Sequence, residues 1–204
     1  VNPGNILTGP GSSDLLEKVA IVLLRNGGSV ISADPCYMSL INVAIAINAN
    51  SHMVKLTPEY EHDLDAMESK INSDTKLIYI TNPNNPTGTI TDRKKLYAFC
   101  DRVSKRVPVF IDEAYIEVSE GGLDNSMVKL VAQGKDVIIS RTFSKIYGLA
   151  ALRVGWSYSS SWITKIINQV RGPFNISSPA IAAAVAAVLD VDYTRDCLVE
   201  YLKN

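Results

Sequence analysis

Histidine and cysteine are too scarce and too scattered in this chain to build a metal centre. The histidines are His52 and His62, and the cysteines are Cys36, Cys100 and Cys197. No Cys-x-x-Cys pair occurs, so the usual zinc spacings are excluded. An odd number of widely spaced cysteines also excludes a disulfide framework and fits reduced thiols. A surplus of charge is missing too: Lys plus Arg is 20 and Asp plus Glu is 21, for a net charge of −1. No overall field would gather nucleic acid or an anionic membrane. No signal-peptide pattern occurs, and no apolar run is long enough to span a bilayer. The longest apolar stretch, Ala180 to Leu189, is short and alanine-rich, which predicts a buried helix.

What is present reads as one globular domain. Its 204 residues are 47% hydrophobic and 20% charged, enough apolar material for a real core. Strand patterns at 29–32, 52–56, 76–81, 107–111 and 136–140 alternate with helical patterns at 15–25, 39–47, 64–71, 91–106 and 126–132. Further helices are expected at 160–168, 179–189 and from Tyr193 onward. Alternation of this kind predicts an α/β fold, a three-layer sandwich with a mostly parallel central sheet. Lys76 to Thr81 is apolar on both faces, as in a covered parallel strand. Asp14 with Glu17 three residues on reads as a helix-start box.

The chemistry-bearing residues sit where these elements end. Val137-Ile138-Ile139 leads into Ser140, Thr142, Ser144 and Lys145, then a Gly/Ala-rich bend and Arg153. Hydroxyls and two cations this close suit an anion held beside a reactive amine, the arrangement a pyridoxal phosphate enzyme needs. Taken alone, Lys145 reads as a solvated surface charge, as most lysines are. Thr8-Gly9-Pro10-Gly11-Ser12-Ser13 feeds a helix and offers free N–H groups, an anion site or an ordinary helix start. Tyr37 follows Asp34-Pro35-Cys36, where an aromatic can stack on a planar ring or simply cover the core. Asn82-Pro83-Asn84-Asn85-Pro86-Thr87-Gly88 is a stiff loop after a strand. Asp112-Glu113-Ala114-Tyr115 puts a carboxylate at a strand's C-terminal end, where open α/β sheets bind ligands. An apolar strand ending Asp-Glu also occurs in P-loop ATPases. The Gly-x-x-x-x-Gly-Lys-Ser/Thr run they need is missing.

Together these motifs, from about Asn5 to Leu189, resemble the fold type I aminotransferases, in the form seen in histidinol-phosphate aminotransferases. The resemblance implies a pyridoxal 5'-phosphate-binding large domain over 1–190, with 191–204 starting a helix toward a small domain. Lys145 would carry the cofactor covalently, and Asp112 would pair with its ring nitrogen. Asn85 and Tyr115 would bond its phenolic oxygen, and Tyr37 would stack on the ring. Ser12, Ser13, Thr142, Ser144 and Arg153 would surround the phosphate. Lys145, Asp112 and Tyr115 would be catalytic. The resemblance also implies a cytoplasmic homodimer of histidine biosynthesis, acting on small molecules. It would move an amino group from a donor such as histidinol phosphate to a 2-oxo acid such as 2-oxoglutarate. An aromatic aminotransferase, a threonine-phosphate decarboxylase and a binding domain without turnover are the alternatives. The chain departs from the family pattern at Pro10, at Leu40 (near the place of a second tyrosine) and at Ala151, where glycine is common.

Overall fold

Strand β4 (Thr75–Thr81) shows why the sheet is buried on both sides. Side chains alternate along a strand. Leu77 and Tyr79 enter one apolar cluster, while Ile78 and Ile80 enter another. The remaining strands are β1 (Ile6–Gly9), β2 (Ser29–Asp34), β3 (Asn50–Lys55), β5 (Val109–Asp112), β6 (Val137–Thr142) and β7 (Gly155–Ser159). In this computed structural model, which describes residues 2–203, they form one seven-stranded sheet in the order β1-β7-β6-β5-β4-β2-β3. β2 to β6 are mutually parallel, and β7 runs against both of its neighbours.

One face is covered by α1 (Ser12–Leu24), α2 (Ser39–Ala46) and α6 (Ser161–Gln169). Leu15, Leu16, Val19, Leu40, Ile41, Ile163 and Ile167 pack there on Tyr79, Phe110 and Ile138. The other face is covered by α3 (Leu64–Ser69), α4 (Arg93–Val103) and α5 (Val128–Ala132). There Met67, Leu96, Phe99, Val103 and Leu130 pack on Ile78, Ile111 and Ile139. Each fully buried side chain of this size stabilises the fold by about 1.5–3 kcal/mol. The expected three-layer α/β sandwich is what these residues form.

Several local expectations are corrected. α1 begins at Ser12, two residues before Asp14, and no side chain caps it. Asp14 instead pairs with Lys18 inside the helix. β5 begins at Val109, because Pro108 has no N–H for the ladder. α4 stops at Val103 rather than Arg106. The alanine-rich segment is a helix, α7 (Ser178–Leu189), but not a buried one. Ala180 and Ala184 are covered, against Phe143 and Val154. Ile181, Val185, Val188 and Leu189 face outward, because among the described residues no element packs over that side. α8 (Val191–Leu202) follows at once, with Asp190 accepting from the Tyr193 N–H at 3.0 Å as its cap.

The start of α1 lies directly against β7. A Cβ on Gly155 would sit 2.3 Å from the Ser12 nitrogen and 2.5 Å from the Gly11 carbonyl carbon, so only glycine fits. Gly155→Ala should therefore destabilise the full-length protein by about 1–3 kcal/mol, as for other overpacked sites. Urea unfolding measures this. Gly172→Ala, where a Cβ meets open space, should leave stability unchanged.

Candidate active site

Strand register builds the floor of the site. Thr81, Asp112 and Ser140 are side-by-side partners on β4, β5 and β6. By alternation they share the face of Tyr79, Phe110 and Ile138, the side covered by α1 and α2. Asp112 is 5% exposed and Ser140 is fully buried. The Ser140 hydroxyl donates to Asp112 Oδ1 at 2.8 Å. The next residue, Glu113, points through the other face. It accepts from the Met127 N–H at 2.9 Å, from Ser126 Oγ at 2.9 Å and from Arg141 Nε at 3.0 Å. The two carboxylates thus lie on opposite faces of the strand and do not form a joint cation site.

The end of the cavity with the donors suited to an anion lies where three segments meet. Gly11 has φ 89°, a left-handed value that suits glycine, and opens α1 with its first-turn N–H groups uncapped by any side chain. With Pro10 lacking an N–H, the turn is closed by the Gly11 N–H donating to the Gly9 carbonyl at 2.7 Å. Arg153 Nη1 donates to Ser144 Oγ at 3.2 Å and to the Ala150 carbonyl at 3.0 Å. Its guanidinium lies against Gly11, where a Cβ would meet Nη2 at 2.3 Å. Arg153 itself holds φ 53°, a strained value for a non-glycine residue. Thr142 Oγ1 accepts from the Ser144 N–H at 3.1 Å, which shapes the turn before Lys145.

The walls come from loops pinned by buried side chains. Asn84 donates to the Pro35 carbonyl at 3.2 Å and to Thr87 Oγ1 at 2.9 Å, and it accepts from Thr81 Oγ1. Asn82 accepts from the Thr91 N–H at 2.9 Å. Those two asparagines are spent on holding the loops in place, and Asn85 reaches the cavity. The Tyr79 hydroxyl donates to the Tyr37 carbonyl at 3.1 Å, and Tyr37 Oη lies 3.2 Å from Ser13 Oγ. Lys145 is exposed, yet its Nζ stands 4.6 Å from the centre of the Tyr115 ring.

All ten site residues expected from the sequence line one cavity of about 220 Å³: Ser12, Ser13, Tyr37, Asn85, Asp112, Tyr115, Thr142, Ser144, Lys145 and Arg153. Sequence reasoning gave no site role to Ser140, Tyr79 or Asn84. Ser140 was visible as a hydroxyl beside the motif, but its contact with Asp112 depends on strand register. Burial pushes the Asp112 carboxyl up to about 6, and Glu113 adds to the rise. Ser140, the Ala114 N–H and the Lys145 ammonium oppose it.

The donor set suits a ligand with an anion at one end and a basic ring nitrogen at the other. Hydroxyls, helix N–H groups and a guanidinium gather at one end, and a desolvated carboxylate forms the floor. The family model for aminotransferase class I and II matches residues 1–204. The chain belongs to this family. Among curated relatives, histidinol-phosphate aminotransferase 1 of Cupriavidus pinatubonensis is 41% identical over 187 residues. That match covers 92% of this chain and 50% of the relative, so the chain spans about half the length of the curated relatives it matches. The crystal structure of histidinol-phosphate aminotransferase from Sinorhizobium meliloti, in complex with pyridoxal-5'-phosphate, superposes with a TM-score of 0.87 at 26% identity. It covers 98% of this chain and 54% of that one. The Clostridium acetobutylicum histidinol-phosphate aminotransferase gives 0.87 at 25% identity, covering 96% and 57%. These class I and II aminotransferase neighbours carry the same α/β architecture over nearly all of this chain.

The raised carboxyl has a consequence for stability. A folded-state value of about 6 lies above the usual 3.8, so the folded state prefers the neutral acid. The contribution of Asp112 is therefore fully present below about pH 4 and is lost as pH rises through about 6. Asp112→Asn, in the full-length protein without cofactor, should be more stable than wild type at pH 8 by up to about 3 kcal/mol. The advantage should fade below pH 4. Denaturant unfolding at the two pH values measures both halves.

Proposed function

We propose that the full-length protein is a pyridoxal phosphate-dependent aminotransferase. Histidinol phosphate is the proposed amino donor and 2-oxoglutarate the proposed acceptor. The observation that carries the reading is the convergence of the ten motif residues on one cavity, anion donors at one end and Asp112 at the floor. The names of the relatives support the donor, and family membership supports the chemistry. We further take residues 1–190 as the cofactor domain and 191–204 as the start of a helix toward a small domain. The enzyme is proposed to work as a homodimer in the cytoplasm, where the three free cysteines of this chain stay reduced.

Bound pyridoxal phosphate supplies an electron-accepting ring that stabilises negative charge on the donor carbon. The chain's residues do the rest. Ser12, Ser13, Thr142, Ser144, Arg153 and the uncapped start of α1 hold the phosphate by charge-assisted bonds. Asp112, ionised at neutral pH, keeps the ring nitrogen protonated. Asn85 and Tyr115 hold the phenolic oxygen, and Tyr37 stacks on the ring. Lys145 would tether the cofactor through Nζ, and its own amine, once free, would carry the proton at the donor carbon as general acid and base.

One observation favours a second reading for residues 1–204 taken alone. Among the described residues lining the cavity, the cations are Lys145 and Arg153, both already given to the cofactor. No cation there is left for a substrate carboxylate, so this stretch by itself would bind cofactor without turnover. Adding histidinol phosphate to the full-length holoenzyme should change the cofactor's visible spectrum in one turnover. A response to aromatic amino acids or to threonine phosphate instead would overturn the donor assignment. Lys145→Ala should lose the visible band of the tethered cofactor and at least about 10²–10⁴-fold in kcat. Persistence of that band in the purified variant would remove Lys145 from its role.

A further inference from the structure

Ser140 lines no wall of the cavity, yet it touches the buried carboxylate on the cavity floor. We propose that Ser140 is a positioning residue: its hydroxyl fixes one oxygen of Asp112 and keeps that carboxylate charged toward a protonated ring nitrogen. The inference rests on the reading of Asp112 given under Proposed function.

Three observations carry it. Ser140 stands on the face of β6 that holds Ile138, in a layer otherwise filled by Tyr79, Phe110 and Leu77. A hydroxyl at such a place is costly unless it is bonded. It is bonded, to Asp112 Oδ1 at 2.8 Å, from the register position directly opposite on β5. An ionised carboxylate only accepts, so the serine must donate, and a donor of this kind favours the charged form.

The neighbouring residue completes the arrangement. Arg141 points through the opposite face and binds Glu113, with Nη2 at 2.9 Å and Nε at 3.0 Å from Oε2. Glu113 still raises the Asp112 carboxyl from behind, and Arg141 is the cation set against it. Consecutive residues on β6 thus attend to consecutive carboxylates at the end of β5, one on each face of the sheet. The remaining charged or titratable groups around Asp112 are few. Lys145, Arg153, Tyr37 and Tyr115 share its cavity, and Tyr79 lies close enough on β4 to feel its charge. Of all these groups, Ser140 has a hydrogen bond to the Asp112 side chain.

The test uses the full-length protein with cofactor removed, and follows the Asp112 carboxyl by ¹³C NMR against pH. The wild-type midpoint should lie near 6. Ser140→Ala should move it up by about one pH unit, the size expected for one hydrogen bond to a charged group. Ser140→Thr, which keeps the hydroxyl, should move it back. Pyridoxal phosphate should bind Ser140→Ala about fivefold more weakly than wild type at pH 6. At pH 9, where the carboxyl is ionised in both, the gap should close. A merely structural role would weaken binding equally at both pH values, and that outcome overturns the proposal. So does an unchanged midpoint in Ser140→Ala. Failure of the underlying reading looks different: wild-type protein then takes up no pyridoxal phosphate at any pH, whatever the midpoints.

Discussion

A carboxylate buried at the end of the central strand is the constraint around which the rest of this structure is arranged. Asp112 lies 5% exposed between β4 and β6 and accepts the Ser140 hydroxyl. Burying a charge costs several kcal/mol unless neighbours compensate it. Here compensation comes from the adjacent strand and from across the cavity: Ser140, the Ala114 N–H and Lys145. None of these is close in sequence except Ala114. The carboxylate is therefore tolerable only once β5 and β6 are in register and the turn carrying Lys145 is in place. Parallel pairing, with Asp112 opposite Ser140, is what brings these groups together.

The anion end shows a second constraint, close approach of backbone to backbone. The turn before α1 packs so tightly on β7 that Gly155 admits no side chain, and Gly11 admits none against Arg153. Arg153 reaches that place from a left-handed backbone conformation that costs about 1–3 kcal/mol for a residue with a Cβ. Strain of this kind persists where surrounding structure enforces it. Val154, the next residue, is locked by its carbonyl accepting from the Phe143 N–H at 2.9 Å. The loop that carries Lys145 and the strand that follows Arg153 are thus bound together at their base.

Much of this was legible in the chain itself, and the reason is local. A hydroxyl beside a lysine, a glycine turn before a helix and an aspartate ending an apolar run are each read within a few residues. All ten such residues meet at one cavity. What was not legible depends on distance in the sequence. Tyr79 looks like ordinary core until its hydroxyl is seen to hold the Tyr37 carbonyl, 42 residues away. Asn84 and Asn85 are chemically identical, and only the folded loop shows that the first is used up on Pro35 and Thr87. The α7 misreading has the same root. Alanine and valine in a row say that a helix is apolar, but not which neighbours lie over it.

These two costs, a desolvated acid and a strained arginine, argue for function more strongly than the motifs do. An asparagine at 112 would keep the volume and the bond from Ser140 without the burden of a buried charge. Selection for stability alone would favour it at neutral pH, since a carboxyl pushed up to about 6 weakens the fold whenever it is ionised. Likewise a glycine at 153 would relieve the backbone. Proteins keep such liabilities where activity requires them. Here the acid sits at the floor of the cavity and the arginine at its anion-binding end. Between them stands a lysine within 4.6 Å of an aromatic ring, its ammonium part of the field that lets Asp112 ionise. Each liability would be relieved by a group of opposite character: a protonated ring nitrogen for the acid, a phosphate for the arginine. One molecule carrying both would offset the two costs together.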